Sequence, residues 1–189
     1  MSRLRMKMRH KDDWYPTPAY ATRALLRRES FGNTIWEPAA GDGALAEVCR
    51  QHGIETICSD LNDYGYCRPG IDFLMEQSRA ADCLITNPPY RLAESFISHA
   101  IHLGCTKHAY LLRLSFLEGV GRHQRLFSKH PPARIHVFSH RLTIWRGDQQ
   151  QTSTGTTAYG WFIWDRDWPV KSRLGLKAPV IEWITDEEE

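Results

Sequence analysis

The chain has 189 residues with 24 Lys+Arg against 22 Asp+Glu, a formal net charge of +2, and is 42% hydrophobic and 24% charged. This is the composition of an ordinary globular protein, long enough for one core and short for two, and its overall charge does not by itself announce a nucleic acid. The most apolar stretch, "AYLLRLSFLEGV", is interrupted by Arg113, so no segment reaches the length that crosses a bilayer.

The N-terminal arm, residues 1–12, carries Arg3, Arg5, Lys7, Arg9 and Lys11 before its first acid. It lacks the apolar core of a signal peptide, which predicts a cytoplasmic protein. In "PTPAYATRALLRRESFG", Thr17 is placed to cap a helix whose first turn holds Pro18 and whose end is followed by Gly32. "TIWEPAAG" predicts a short strand running into a glycine turn, "ALAEVCRQHG" a helix stopped by Gly53, and "ETICSD" a second strand. "DCLIT" predicts another, followed by the helical stretch "LAESFISHAIHLG" and the buried strand "HAYLLRL". Strands alternating with helices predict a parallel sheet covered on both faces.

The last third changes character. "ARIHVFSH" and "AYGWFIWD" read as strands with no helix between them, hence antiparallel, joined by the polar segment "RLTIWRGDQQQTSTGTT". That segment, within residues 141–158, predicts a mobile loop at a sheet edge where a substrate can be touched. Lys107, Arg113, Arg122, Arg125, Lys129, Arg134, Arg141 and Arg146 face only Glu118 in their stretch, while opposing charge is packed elsewhere, including an acidic tail at 184–189. The asymmetry suits a polyanionic partner or a solvated face. Cys49, Cys58, Cys67, Cys83 and Cys105 are scattered without a close pair, and no HExxH occurs, so reduced core thiols and no metal site are expected. Trp14, Trp36, Trp161 and Trp164 are read as packing residues.

In "WEPAAGDGALAE", Gly41 and Gly43 stand between the first strand and its helix. Glycine lets the backbone turn sharply and approach a ligand, and the helix beyond offers free N–H groups. The spacing Gly41, Gly43, Ala46 also fits the loose dinucleotide pattern, and a purely structural turn would look the same. Glu37, at the strand end, would repel a pyrophosphate and grip a cationic amine. Asp60, ending the second strand, is placed for a ribose, and Asp72 beside Phe73 in "GIDFL" for an adenine amino group and ring. Amine, ribose and adenine together describe S-adenosylmethionine.

"NPPY", Asn87 to Tyr90, follows a buried strand with two residues that cannot extend a ladder. It resembles the catalytic motif of class I S-adenosylmethionine-dependent methyltransferases that modify a planar amino or amide nitrogen, above all the N6-adenine DNA methyltransferases. "EPAAGDGAL" resembles their glycine motif, with Pro38 beside Glu37; "SDL" their ribose motif, with Leu61 beside Asp60; "GIDFL" their adenine motif. "DWYPTP" resembles the extra cofactor-side motif of those enzymes whose cofactor half comes first, and Tyr15 and Thr17 in it serve either cofactor contact or helix entry. "LLRLSFLEG" and "YGWFIWD" resemble later strands of small phage and prophage DNA adenine methylases.

The resemblance implies a Rossmann-like α/β fold: a mostly parallel seven-stranded sheet with an antiparallel last strand and helices on both faces, as one catalytic domain over residues 1–189. It implies a methyl group transferred from S-adenosylmethionine to adenine N6 in DNA. Asn87 and Pro88 would accept hydrogen bonds from the amino group, Pro89 would help fix those acceptors, and Tyr90 would stack on a flipped base. A separate recognition domain has no room, so specificity is expected to be relaxed, to reside in the 141–158 loop and basic arm, or to come from a second subunit or a homodimer. Arg122, Arg125, Arg141 and Arg146 are candidate phosphate contacts. An RNA adenine methyltransferase shares every motif. A protein-glutamine N5 methyltransferase, a silent nucleic-acid-binding subunit and a nicotinamide dehydrogenase are the further alternatives.

Overall fold

The computed structural model of the protein describes residues 15–144, 157–168 and 179–185. Seven strands, β1 (Thr34–Glu37), β2 (Glu55–Cys58), β3 (Cys83–Thr86), β4 (Lys107–Arg113), β5 (Arg134–Phe138), β6 (Tyr159–Asp165) and β7 (Val180–Ile184), form one sheet in the order β2-β1-β3-β4-β6-β5-β7. The helices are α1 (Ala19–Leu26), α2 (Ala44–Gln51), α3 (Ala93–His102) and a short α4 (Val120–Arg122) that continues as a π-helical turn, His123–Phe127.

Residue alternation builds the two cores. Along β4, Ala109 and Leu111 join Leu25 of α1 and Leu45 of α2, whereas Tyr110 and Leu112 join Ile97 of α3 and Leu126 of the π turn. β6 repeats the division, Trp161 and Ile163 on the first side, Phe162 and Trp164 on the second. Both sheet faces are therefore covered, as the continuous apolar runs predict. The buried Trp161 indole donates to the Ala21 carbonyl at 2.8 Å, which satisfies its one polar atom and ties α1 to the sheet. Trp36 and Trp164 are likewise buried, and Trp14 lies outside the described residues.

β1 pairs in parallel with β2 on one side and β3 on the other, and β3 with β4, so the winding reverses beside β1. In such sheets the crevice outside the carboxyl ends of the strands at the reversal is where ligands bind. The expected antiparallel strand is β6, which runs against both β4 and β5. It was the last strand visible in the sequence but is not the last in the fold, because β7 follows and lies parallel to β5.

Two helix details differ from expectation. Thr17 caps nothing: the N-cap of α1 is Pro18, without a side-chain bond, and Thr17 is buried instead. Gly32 lies five residues beyond the C-cap Arg27 and does not end the helix. By contrast Gly53 ends α2 as expected, at φ +76 with its N–H on the Arg50 carbonyl at 2.9 Å. Of the segments set apart in the sequence, residues 1–12 and most of 141–158 and 184–189 lie outside the described residues. Leu142 is fully buried and Ile184 closes β7, so each belongs to the sheet domain.

Candidate active site

A cavity of about 380 Å³ opens at the carboxyl ends of β1 and β3. The structure brings Tyr15, Thr17, Glu37, Pro38, Gly41, Asp60, Leu61, Asp72 and Phe73 onto its wall, together with Asn87 and Pro89. Gly43, Pro88 and Tyr90 are not among its lining residues. Asp42 of the glycine motif is, as are Tyr64, Arg91 and Phe96, and none of the four stood out in the sequence as a site residue.

The glycine turn divides its work. Gly41, at φ +56, lines the cavity, and its N–H donates to Asp60 Oδ2 at 2.9 Å. Gly43, at φ +84, caps α2, and a Cβ there would run into the ring of Tyr66, whose hydroxyl bonds Glu47 and Arg50 of α2. Gly43 is thus a packing requirement beneath Tyr66. Nothing local in the sequence pairs the two positions.

Asp60 is buried, and its second oxygen accepts from the Asn62 N–H at 2.8 Å. A carboxylate accepts about four hydrogen bonds, so capacity remains for a diol. Glu37 is buried too, and its Oε2 has no hydrogen-bond partner among the described residues. Burial first, then the charges of Asp60 and Asp42, push its carboxyl well above the usual range, with the Ala46 N–H and Arg50 offsetting only part. A cation brought beside Glu37 would relieve both the missing partner and the missing counter-charge. Asp72 accepts from the Leu74 N–H at 3.0 Å, and Phe73 packs against Trp36, Phe96 and His99 with ring centroids 4.8–5.0 Å apart. The wall is acidic and partly apolar, suited to a cationic adenosyl ligand and unsuited to a diphosphate.

Asn87 sits at the end of β3, where its Nδ2 donates to the Tyr15 carbonyl at 2.9 Å. Pro16 and Pro18 hold that upstream segment extended, which carries the carbonyl to the amide across 72 positions of sequence. With Nδ2 engaged, Oδ1 is buried and accepts no hydrogen bond among the described residues. No hydrogen bond among the described residues ends on the Pro88 carbonyl either. Tyr90 stacks on Tyr15 at 5.8 Å, and the Arg113 guanidinium carbon lies 4.8 Å from its ring centroid.

The candidate phosphate contacts fare unequally. Arg122 donates to the Phe116 and Glu118 carbonyls, each at 2.7 Å, and covers the Phe116 ring. Arg125 is exposed but forked onto Glu94 of α3 at 2.7 and 3.0 Å. Both are therefore committed inside the protein, and either would exchange internal bonds to reach a phosphate. Arg141 is exposed, and Arg146 lies outside the described residues. The described cysteines are free thiols.

No protein-family model and no curated protein matches the chain. Solved structures do. A proposed RNA methyltransferase from Pyrococcus horikoshii aligns with a TM-score of 0.61 at 18% identity over 80% of this chain and 85% of its own. The modification subunit of a proposed type I restriction enzyme from Vibrio vulnificus aligns at 0.60 and 13% identity over 95% of this chain and 49% of its own. This chain thus spans about half of that subunit. A precorrin-6y C5,15-methyltransferase from Geobacter metallireducens aligns at 0.50 and 12% identity, over 78% and 85%.

The chain has the class I methyltransferase fold. In that fold the cavity lies at the winding reversal, where the strand order alone directs a ligand. Among the described residues no three metal-ligating side chains cluster, and no helix is long and apolar enough to cross a membrane.

Proposed function

We propose that the chain transfers a methyl group from S-adenosylmethionine to the N6 amino group of adenine in DNA. The observation that carries this reading is Asn87: an amide on the cavity wall, fixed through its nitrogen, whose oxygen is buried and lacks a donor among the described residues. A buried acceptor left unsatisfied costs about 1–3 kcal/mol, which an incoming amino group recovers.

In this reading Glu37 holds the cofactor's ammonium, Asp60 its ribose hydroxyls, and Asp72 with Phe73 its adenine. Bound there, S-adenosylmethionine supplies an electrophilic methyl group on a sulfonium. The target amine would donate hydrogen bonds from its two N–H groups to Asn87 Oδ1 and the Pro88 carbonyl, which draws its lone pair out of conjugation and aims it at the methyl carbon. Because the prolines fix those acceptors in advance, little reorganisation is needed at the transition state. The methylated nitrogen is cationic and releases a proton to water, so no strong base is required. Tyr90 stacks on the flipped base. Choice of target sequence falls to residues 141–158, the basic N-terminal residues or a second subunit.

Purified protein given S-adenosylmethionine with a labelled methyl group, and DNA, matched RNA or glutamine-bearing protein in parallel, should label DNA. Label in RNA alone would keep the chemistry and change the substrate. Label in the protein fraction alone would contradict the proposal.

A further inference from the structure

Several cations at the described surface already have an acid. Arg50, Arg79, Arg122, Arg125 and Arg166 each meet a carboxylate within 4.0 Å. Arg113 does not. It is exposed, and among the described residues it forms no salt bridge.

Its position follows from register. Thr86 pairs with Tyr110, so β4 runs three residues beyond the end of β3, and Arg113 stands beside the segment that carries Asn87 to Tyr90. There its guanidinium lies over the Tyr90 ring, 4.8 Å from the centroid. Across the antiparallel pair it faces Tyr159, to which it also donates a hydrogen bond. A planar cation therefore covers the aromatic ring assigned to base stacking, and among the described residues Tyr90 and Tyr159 hold it there. Such an exposed cation–π contact is weak, whereas an arginine–phosphate bond is charge-assisted and bidentate.

We propose that Arg113 is a phosphate-binding residue of the substrate site, resting on Tyr90 in the free protein and passing to the backbone phosphate of the target nucleotide as the base takes its place on the ring. The inference rests on the nucleic-acid reading above and deepens it. It makes the preferred substrate a base within a polyanionic chain, because a protein amide brings no phosphate for Arg113 to receive. It also couples base entry to backbone contact, since the ring is vacated only as the guanidinium finds its new partner.

The test is binding of a fluorescently labelled, adenine-containing DNA oligonucleotide followed by anisotropy over a series of salt concentrations. Arg113→Gln should weaken binding roughly 10-fold at low salt and lower the slope of log K against log[salt] by about 1. Arg113→Lys, which keeps the charge, should keep the slope, and Arg79→Gln, which removes a charge at the other end of the sheet, should change neither quantity. With the wild-type protein, a methylphosphonate in place of the phosphate at the target adenine should reproduce the loss without any mutation, and Arg113→Gln should be indifferent to it. A wild-type slope in Arg113→Gln, or wild-type protein indifferent to the methylphosphonate, would overturn the inference even if DNA is methylated. The expected slopes without any methylated adenine would instead sink the reaction assigned above and leave the phosphate contact standing.

Discussion

In the proposed reaction Asn87 serves the chemistry and Asp60 the cofactor, and their substitution separates the two. Asn87→Ala removes an acceptor that matters once the amine is aligned, so turnover should fall by about 10²–10³ while cofactor affinity stays within about twofold. Asp60→Ala removes the ribose acceptor and frees the Gly41 and Asn62 N–H groups it now holds. Cofactor affinity should drop roughly 10- to 100-fold by calorimetry. Equal affinity losses in both variants would contradict the division. Gly43→Ala is a different test: at φ +84 and against Tyr66, it should cost roughly 1–3 kcal/mol in urea unfolding. Adding Tyr66→Ala should recover the collision and leave the backbone strain. At this scale the sequence showed which residue types gather but not all of their duties. Gly43 read as a place for ligand approach because Tyr66 comes from a segment without periodicity. The Tyr15 carbonyl that orients Asn87 had no local signal at all.

The elements are joined at the end of the sheet remote from Asn87 by a buried carboxylate. Glu29, in the connection after α1, receives Arg134 of β5 at 2.5 and 2.9 Å, His136 of β5 at 2.9 Å and Lys107 of β4 at 2.6 Å. Arg134 also reaches Asp165 of β6 at 2.7 Å. Burial alone would push the Glu29 carboxyl up, but the hydrogen bonds from His136, Arg134 and Lys107, with the Lys107 charge, bring it down to about 2. The folded pKa is thus below the unfolded one, so this contribution is present above the ordinary carboxylate range and is lost as pH falls through about 2. The unfolding free energy from denaturant titrations should decline between about pH 5 and pH 2, by at most about 3 kcal/mol from this group. Glu29→Gln should be less stable at pH 7 and should show a shallower decline; a decline as steep as the wild type's would remove Glu29 from the explanation. Arg134 read as part of a basic face because its partner lies 105 positions away, and pairing at that separation leaves no pattern in the sequence.

In the whole molecule, the strands buried on both faces announced themselves as apolar runs, and the alternation with helices led to the doubly wound sheet. β7 did not. Four of its five residues are exposed, and it is a strand because it lies in register beside β5, from Arg134↔Val180 to Phe138↔Ile184, which is a tertiary circumstance. The segments proposed to hold the cofactor and the amide share one cavity because both follow strands at the winding reversal, where topology brings them together. Cofactor binding should therefore stabilise the entire domain. At a concentration 100-fold above its Kd, S-adenosylmethionine should add about 2.7 kcal/mol and raise Tm by roughly 5–10 °C, a shift that Asp60→Ala should largely lose at the same concentration.

The most direct measurement is mass spectrometry of nucleosides from DNA incubated with the protein and methyl-labelled S-adenosylmethionine, beside the same digest from Asn87→Ala. Labelled N6-methyldeoxyadenosine with the wild type and none with the variant is the expected result. Label on any other nucleoside, or N6-methyldeoxyadenosine formed equally well by Asn87→Ala, would contradict the assignment of adenine N6 as the acceptor and Asn87 as the group that prepares it.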